Sequence, residues 1–379
     1  MTDPAELRQT PLHDLHVEWG GRMVDFAGWD LPVRYEPGPM AEHLHTRASA
    51  SLFDVSHMGI VELSGPPIED VAAALEALVP ASITGIPDGR QRYTQLTNDD
   101  GGIIDDLMVA RLADQLVLVV NAARRDVDLA HLRAGLPDDV EVLDRTDLAL
   151  LAVQGPAAVD AVAALVDDTA DLLTSTVFMD VVEVTLHGAP CRVSRSGYTG
   201  EDGVEIQVPA DAAVDLARAL VGAEPDDGVV RPAGLAARDS LRLEAGMCLY
   251  GHDLDETTTP VEAELVWSIQ KRRRTEGGFP GDDVVRRQIA DGPGRVRVGL
   301  RPEGRQPVRE GSTLHDSTGS EVGVVTSGGY GPSLEAPIAM GYVAPSSAGT
   351  GTPLVAHVRG KELPVAVADL PFVTPRYRR

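Results

Sequence analysis

The chain has 379 residues, 43% of them hydrophobic, which is enough for two or three folded domains and excludes wholesale disorder. Its formal net charge of −25 disfavours nucleic acid and anionic membranes as partners, although a small anionic ligand responds to local charge. No apolar run reaches roughly 18 residues, so we expect no membrane span, and the polar, acidic N-terminus MTDPAELRQT does not resemble a signal peptide. Two cysteines, Cys191 and Cys248, are too few for a disulfide framework. We therefore expect a cytoplasmic protein.

Three stretches share one layout, a strand followed by a turn with proline and an alanine-rich helix. They are residues 59–79, 148–166 and 203–221. Proline suits the first turn of a helix because its missing N–H would be unpaired there anyway. The layout predicts related strand–helix units in an α+β architecture, and no fixed period indicates a solenoid.

The run GGIIDDLMV (101–109) reads as a strand that carries two adjacent carboxylates, Asp105 and Asp106. Neighbours in a strand point to opposite faces, and both faces of this strand are otherwise apolar. One acid is therefore expected to enter a buried face, where an unpaired charge is costly. Either the strand is less buried than its pattern indicates, or Arg90 or Arg92 pairs with the acid, or the acid has a function.

Residues 103–121 predict a β-hairpin with Ala113 and Asp114 as its loop. That register places Asp106 opposite Asn121, on the same face of the hairpin. A slip of one residue would remove this pairing.

Two further charged residues interrupt apolar patterns. Arg238 lies on the apolar side of the predicted helix AGLAARDSLRLEAG (233–246), and it needs either a structural ion pair or an anionic ligand because it stays protonated. Glu205 points away from its apolar neighbours in a strand, so exposure to solvent is the default interpretation. The preceding glycine-rich turn SGYTGEDG (196–203), which carries Tyr198, favours a binding role instead.

The remaining segments predict loops and a small β-domain. Residues 222–232 read as an exposed loop, and residues 271–295 read as a linker rich in glycine, proline and charge. The cluster KRRR (Lys271, Arg272, Arg273 and Arg274) is either a solvated basic loop or a docking site for an acidic partner. From residue 296 onward, short alternating strands between glycine-rich turns predict a small β-barrel or sandwich.

Several common site types are not predicted. The histidines lack a third ligand at a recognisable spacing, so we expect no metal site at His13, His16, His43, His45 or His57. No dinucleotide-binding glycine motif or phosphate-binding loop is present, and neither cysteine lies in a nucleophile motif. Composition and pattern thus indicate an α+β protein with a candidate acidic site.

With these residues in order, the chain resembles the T-protein family of the glycine cleavage system, the aminomethyltransferases. Any one of the shared motifs would be weak, but their order and spacing are highly specific. The motifs are PLHDLHVEWGGRMVDFAGWDLPV, LFDVSHMG, GGIIDDLMV, VQGP, SRSGYTGEDGVEI, AGLAARDSLRLEAGMCLYGHDLDETTTPVEAELVW, KRRR, VTSGGYGPSLEAPIAMGYV and PFVTPRY.

The resemblance implies an α+β fold with three domains in a ring-like arrangement. Two of them are mixed α/β domains and the third is a C-terminal β-barrel or jelly roll. The expected boundaries are residues 1–55 with 140–232 for the first domain, 56–139 with 233–275 for the second, 276–295 for a linker and 296–379 for the third.

The same resemblance implies a reaction. The lipoylated H protein presents an aminomethyl group on its reduced lipoyl arm, and the methylene carbon passes to tetrahydrofolate with release of ammonia. Tetrahydrofolate is thus the acceptor substrate, no metal is implied, and KRRR becomes a candidate docking site for an acidic H protein. The alternatives are a folate-dependent demethylase of another one-carbon donor and a non-catalytic folate-binding accessory protein.

The resemblance also carries over individual residues. Asp106 matches the acid that faces folate, where it can orient the reacting nitrogen, accept its proton or stabilise an iminium-like carbon. Asp105 is then left for the other face, paired or near solvent. Glu205 matches the glutamate that holds the amino-pyrimidine edge of the pterin. The other matches are Arg238 and Tyr377, as further ligand-binding positions, and Tyr93, Asn121, Tyr198 and Met58, as residues lining the pocket.

Overall fold

The computed structural model describes residues 7–167, 169–223 and 225–379. Residues 1–6, at the start of the predicted first domain, lie outside the described residues, as do Asp168 and Glu224, the latter within the predicted loop 222–232.

The α-helices of the described chain lie between His13 and Asp291, and most are short. Two 3-10 helices lie at Val266–Ser268 and Pro345–Ser347. The α-helices are α1 (His13–Glu18), α2 (Pro39–Ala48), α3 (Ile68–Glu76), α4 (Arg125–Gly135), α5 (Ala158–Ala163), α6 (Ala170–Thr174), α7 (Ala213–Val221), α8 (Leu235–Glu244), α9 (Lys271–Glu276) and α10 (Asp282–Asp291).

Strands lie between these helices, and after Asp291 the described elements are strands apart from the 3-10 helix at Pro345–Ser347. They are β1 (Arg22–Phe26), β2 (Trp29–Arg34), β3 (Ala50–Asp54), β4 (Gly59–Ser64), β5 (Arg90–Thr97), β6 (Ile103–Arg111), β7 (Leu116–Val120), β8 (Glu141–Asp144), β9 (Leu148–Gln154), β10 (Val181–Leu186), β11 (Ala189–Ser194), β12 (Gly203–Pro209), β13 (Val230–Pro232), β14 (Val296–Pro302), β15 (Thr313–His315), β16 (Glu321–Gly331), β17 (Ala336–Val343), β18 (Pro353–Val358) and β19 (Lys361–Ala368).

The chain divides into two compact units, each built from separate segments. Unit 1 contains the chain up to Ile60, Arg145–Leu241 and Pro375–Arg379, and unit 2 contains Val61–Asp144 and Arg242–Thr374. Each unit therefore takes in stretches that are distant in sequence. The predicted division into three domains stays a prediction.

Unit 1 is built on a six-stranded sheet in the order β10-β11-β12-β9-β3-β13. Neighbouring strands are antiparallel except β3 and β13, which are parallel. On β12 and β9, Val204 lies opposite Val153 and Ile206 opposite Leu151, and all four side chains belong to the buried core. Strand alternation directs Glu205 to the other face of this sheet.

Unit 2 contains a five-stranded sheet in the order β5-β6-β7-β4-β8 and a closed barrel in the order β14-β17-β16-β15-β18-β19. The sheet packs its apolar side chains with α3 and α4, and Val109 and Leu132 belong to that core. The barrel has its own core, which includes Leu300, Leu314 and Ala356. The mixed α/β class with a C-terminal barrel is thus confirmed, and the sandwich alternative is wrong because β14 and β19 pair and close the sheet.

The predicted strand–helix units are confirmed: β4 precedes α3, β9 precedes α5 and β12 precedes α7. The prolines lie before the helices and not in their first turns, so that part of the expectation is wrong. Pro67 is the residue before the first turn of α3, and Pro209 is the last residue of β12. Proline has no N–H to offer a strand ladder, so these residues end a strand or precede a helix instead of starting one.

The predicted linker 271–295 contains two helices, α9 and α10. The alternative of a solvated KRRR loop is wrong because KRRR forms α9. Val285 of α10 is buried and joins a small apolar cluster with Ile269 and Phe279. A few apolar contacts therefore order a segment whose composition resembles a linker.

Candidate functional site

The two acids of β6 lie in different surroundings. The side chain of Asp105 is 0% exposed and that of Asp106 is half-buried. Neither Arg90 nor Arg92 pairs with them, because β5 places those residues opposite Arg111 and Val109, and Arg92 donates to the Ser82 carbonyl. Asp105 is therefore not near solvent, and the alternative that Arg90 or Arg92 pairs with the buried acid is wrong as well.

Asn121 joins the two acids. The predicted hairpin register is confirmed, since Met108 lies opposite Val119 and the same spacing brings Asn121 to Asp106. Asn121 Nδ2 donates to Asp106 Oδ1 at 2.8 Å and to Asp105 Oδ1 at 2.9 Å, and its backbone N–H donates to Asp105 Oδ2 at 3.0 Å. One residue at the end of β7 thus orients both carboxyls.

Tyr93 of β5 holds the other oxygen of Asp106. Its hydroxyl donates to Asp106 Oδ2 at 2.9 Å, and its ring stacks on Trp267 with centroids 5.4 Å apart. Trp267 is 62% exposed, and sequence reasoning missed it although it lies in one of the quoted motifs. An exposed indole stacked on a residue that contacts the acid offers an apolar face beside that acid.

The carboxyl of Asp106 is poised for proton transfer. Burial, and secondly the charge of Asp105, raise the pKa of Asp106 to about 7, while the hydrogen bonds from Tyr93 and Asn121 oppose the rise. A group that titrates near neutral pH can both accept and release a proton under working conditions. Of the described acids in β6, Asp106 thus has the properties of an acid–base group.

A third acid, Asp128 in the first turn of α4, was missed by sequence reasoning. Its side chain is 0% exposed and contacts the Asp105 carboxyl. The helical spacing could have identified it as buried. Asp128 precedes Leu129 and lies four residues before Leu132, so it belongs to the buried side of the helix.

Glu205 is half-buried on the sheet face that its register predicts. It lies opposite Ala152 of β9 and Ser194 of β11, and its Oε2 accepts a hydrogen bond from Ser196 Oγ at 2.6 Å. The side chain is thus fixed on one oxygen and retains acceptor capacity on the other.

Arg238 of α8 has no ion pair with any of the residues that the structure describes. Its guanidinium lies 4.8 Å from the ring centroid of Tyr198, and its Nη1 is buried without a hydrogen-bond partner. Burial lowers the pKa of Arg238, and the charge of Glu205 partly offsets this. The structural ion-pair alternative is wrong, and a buried donor without an acceptor is what an anionic or polar ligand would satisfy.

Tyr377 and Met58 are half-buried residues of the same unit. Tyr377 stacks on Phe178 with centroids 4.1 Å apart, and its buried hydroxyl lacks a partner. Burial raises the pKa of Tyr377 to about 12, so the hydroxyl is a neutral donor. Met58 follows His57, whose pKa burial lowers to about 4, so that imidazole is neutral as well.

The predicted residues fall into two sets. Asp106 belongs to unit 2, as do Asn121 and Tyr93, which both contact it. Glu205, Arg238, Tyr198, Tyr377 and Met58 belong to unit 1. Within unit 1, Arg238 contacts Tyr198 and interacts electrostatically with Glu205.

Family models match almost the whole chain. Residues 12–273 match the GCVT N-terminal domain, and residues 295–374 match the glycine cleavage T-protein C-terminal barrel domain. The chain belongs to the glycine cleavage T-protein family. The resemblance stated from the sequence is thereby confirmed.

Curated T-protein relatives are similar over nearly their full length. The mitochondrial aminomethyltransferase of Gallus gallus is 48% identical, with 99% of this chain and 94% of the relative covered. That of Solanum tuberosum is 45% identical, with 98% and 91% covered. The crystal structure of aminomethyltransferase T of the glycine cleavage system from Bartonella henselae superposes with a TM-score of 0.91 at 41% identity, covering 98% of this chain and 100% of that one.

In this T-protein family member, the KRRR cluster makes internal contacts. Arg272 pairs with Glu76 and Glu276, and Arg274 donates to the Val266 and Ile269 carbonyls. Arg273 is buried and donates to several carbonyls, among them that of Glu76. Lys271 is exposed at the start of α9 and is the member of the cluster best placed to meet a partner.

Other chemistry is limited in the described parts of the T-protein chain. Burial raises the pKa of Cys191 to about 11 and that of Cys248 to about 12, which makes both thiols poor nucleophiles. No group of three or more histidine, cysteine or acidic residues there is arranged to hold a metal ion. None of the described helices is both long and apolar enough to cross a bilayer.

Proposed function

We propose that this aminomethyltransferase of the glycine cleavage system transfers the methylene carbon from the aminomethyl-dihydrolipoyl arm of H protein to tetrahydrofolate, with release of ammonia. The observation that carries the proposal is the carboxyl of Asp106, held by Tyr93 and Asn121 with its pKa raised to about 7. Family membership supplies the reaction class, and this carboxyl supplies the acid–base group that such a reaction needs.

Asp106 is the catalytic residue of the proposal. Transfer breaks both the carbon–sulfur and the carbon–nitrogen bond of the aminomethyl group and forms two bonds from its carbon to folate nitrogens. Two protons leave the folate amines; one is taken up by the leaving amine, which departs as ammonia, and the other by the lipoyl sulfur, which becomes the dihydrolipoyl thiol. A carboxylate beside the reacting nitrogen accepts such a proton and stabilises positive charge on an iminium-like carbon. Its two hydrogen bonds fix the direction in which it faces.

Glu205 and Arg238 are the proposed folate-binding residues with the clearest chemistry. A glutamate can accept two N–H bonds from an amino-pyrimidine edge, and Ser196 leaves Glu205 with the capacity to do so. Arg238 has a buried guanidinium donor without a partner. Tyr198, Tyr377 and Met58 provide half-buried aromatic and thioether surface for the same ligand.

The test is a rate measurement with the natural carrier. Aminomethylated H protein and tetrahydrofolate are mixed with the protein, and methylenetetrahydrofolate and ammonia are quantified. Equal amounts of the two products, dependent on both substrates, support the proposal. A protein that binds folate but forms neither product would contradict it.

The demethylase alternative is tested in the same assay. If dimethylglycine or a sulfonium donor replaced aminomethylated H protein with a higher kcat/KM, the donor assignment would be wrong. The accessory-protein alternative predicts folate binding and no turnover with any donor. The raised pKa of Asp106 favours an enzyme over that alternative.

Glu205→Gln should weaken tetrahydrofolate binding by about 10- to 100-fold, because an amide cannot accept two parallel N–H bonds with the strength of a carboxylate. Isothermal titration measures the dissociation constant directly. Glu183→Gln, an exposed glutamate in β10 of the same sheet, is the matched control and should leave binding unchanged. Equal affinity in Glu205→Gln and wild type would remove Glu205 from the folate site.

We also propose that Lys271 contributes to docking of the acidic H protein. Lys271→Glu should raise the KM for H protein by about threefold to tenfold at low salt and leave the KM for tetrahydrofolate unchanged. The difference should shrink as salt screens the charges. Lys361→Glu is the control, at the only other lysine. A KM for H protein that does not respond to Lys271→Glu would remove this docking site.

The proposed location is the cytoplasm. The curated relatives from Gallus gallus and Solanum tuberosum are named mitochondrial, so the compartment needs a direct test. Cell fractionation with antibody detection provides it, and recovery with an organelle or envelope fraction would contradict the proposal.

A further inference from the structure

Three carboxyl groups form one linked cluster in unit 2, in which the Asn121 amide bonds two of them. Asp105 and Asp128 are both 0% exposed, and Asp106 is half-buried. Asn121 donates to both Asp105 and Asp106. Asp128 contacts Asp105, and within the described residues no N–H or hydroxyl donor reaches either oxygen of Asp128. The Asp105 and Asp128 carboxyls thus meet in the interior, and in the described part of the chain Asp128 has no hydrogen-bond donor other than a proton shared with Asp105.

The charged groups around the cluster do not balance three carboxylates. Arg124, the residue before α4, acts on Asp128 electrostatically, but its guanidinium donates to the Ile104 carbonyl at 2.9 Å and pairs with Glu256. Tyr250 interacts electrostatically with Asp105, but its hydroxyl donates to the Ile103 carbonyl at 3.1 Å. An unpaired buried carboxylate costs several kcal/mol or takes up a proton, so at least one of the three carboxyls is protonated.

We propose that Asp105 and Asp128 share one proton, with Asp128 as the O–H donor and Asp105 as the carboxylate acceptor, and that this pair positions Asn121 and places one fixed negative charge beside Asp106. Asp128 is thus a positioning residue. The role in catalysis depends on the proposed function, because it requires Asp106 to be the acid–base group. The sharing of the proton does not depend on it.

The hydrogen-bond capacity of the groups supports this arrangement. Each oxygen of Asp105 already accepts one bond from Asn121 and has a further lone pair for the O–H of Asp128. Burial, and secondly the charge of Asp105, raise the pKa of Asp128 to about 9, so it keeps its proton at neutral pH. The remaining charge on Asp105 in turn raises the pKa of Asp106.

The first test uses stability and needs no turnover. In the folded protein Asp128 keeps its proton up to a pH of about 9, whereas in the unfolded chain it loses the proton near its ordinary value of 3.8. The native state therefore binds more protons between these values, and its stability falls as the pH rises. Asp128→Asn still donates to Asp105 but does not titrate. Its Tm should exceed that of wild type by a margin that grows from about pH 5 to about pH 9.

The matched control is Asp126→Asn, an exposed acid in the first turn of the same helix. Its Tm difference from wild type should stay constant over the same pH range. A constant difference for Asp128→Asn as well would show that Asp128 is ionised in the native state at neutral pH, and it would overturn the shared proton.

The second test uses the pH dependence of kcat. Asp105→Asn removes the negative charge beside Asp106, so the midpoint of the kcat profile should move to lower pH. Asp128→Asn retains the charge of Asp105 and should leave the midpoint at its wild-type value. An unchanged midpoint in Asp105→Asn would overturn the catalytic part of the proposal. If the wild-type protein had no transferase activity, the proposed function would fail, and the stability test would still decide the shared proton.

Discussion

Asp106→Asn should lower the rate of methylenetetrahydrofolate formation by about 10²- to 10⁴-fold, because an amide cannot accept the proton of the reacting folate nitrogen. The substitution preserves shape. The new amide oxygen can still accept from Asn121 Nδ2, which donates to Asp106 Oδ1 at 2.8 Å. We therefore expect the folate dissociation constant and the Tm to change little while kcat is lost. Initial rates with saturating substrates, together with a titration of tetrahydrofolate, separate the two effects.

The role of Asp106 also predicts the direction in which kcat changes with pH. If the carboxylate form of Asp106 is required, wild-type kcat rises as the pH passes through about 7, the raised pKa of Asp106. The residual rate of Asp106→Asn should lack this rise. Tyr93→Phe removes one hydrogen bond to Asp106 and leaves its charge, so we expect a smaller loss of about tenfold and a midpoint at higher pH. Activity of Asp106→Asn within about threefold of wild type would remove Asp106 from the mechanism.

Arg273→Met should destabilise the protein by about 3–5 kcal/mol, the largest effect on stability that we expect from a single substitution in α9. The Arg273 side chain is only 6% exposed. It donates to the Gly277 carbonyl at 2.5 Å, to that of Glu76 at 2.7 Å and to that of Val79 at 3.1 Å. These carbonyls lie at or just beyond the ends of α9 and α3, where no helical N–H is left to satisfy them.

The control for this effect is a substitution two residues before Arg273. Lys271→Met removes a positive charge from the same helix at an exposed position, where we expect a change within about 0.5 kcal/mol. Chemical denaturation followed by circular dichroism measures both variants. Equal midpoints for Arg273→Met and Lys271→Met would mean that the buried guanidinium does not stabilise the helix ends.

The sequence predicted those features that depend on local patterns. The hairpin of β6 and β7 follows from alternation and a two-residue loop, and the Leu112 N–H to Gln115 carbonyl bond of 2.9 Å lies at its end. Because that register is local, it also predicted the pairing of Asp106 with Asn121. The closure of the barrel was left open because it depends on β14 and β19 pairing, a contact between segments far apart in sequence.

The errors concern charged groups whose partners are distant. KRRR was predicted to be either a solvated basic loop or a docking site, yet Arg273 is buried and donates to the Glu76 and Val79 carbonyls, which lie far away in the sequence. Of the two alternatives for Asp105, paired or near solvent, only the second is wrong: Asp105 is buried, bonded by Asn121 and in contact with Asp128, 23 positions further along. Asp128 itself was recognisable as an acid in the apolar stripe of a helix, the same signal that identified Arg238.

The segmented composition of unit 1 determines the order in which the protein can mature during synthesis. Its last segment, Pro375–Arg379, follows the whole of unit 2 along the chain. That segment is bonded into the unit, since the Phe178 N–H donates to the Arg378 carbonyl and the Arg376 N–H to the Gly200 carbonyl, both at 2.8 Å. A ribosome must therefore complete unit 2 before unit 1 gains these bonds, and no single proteolytic cut can release either unit as one continuous fragment.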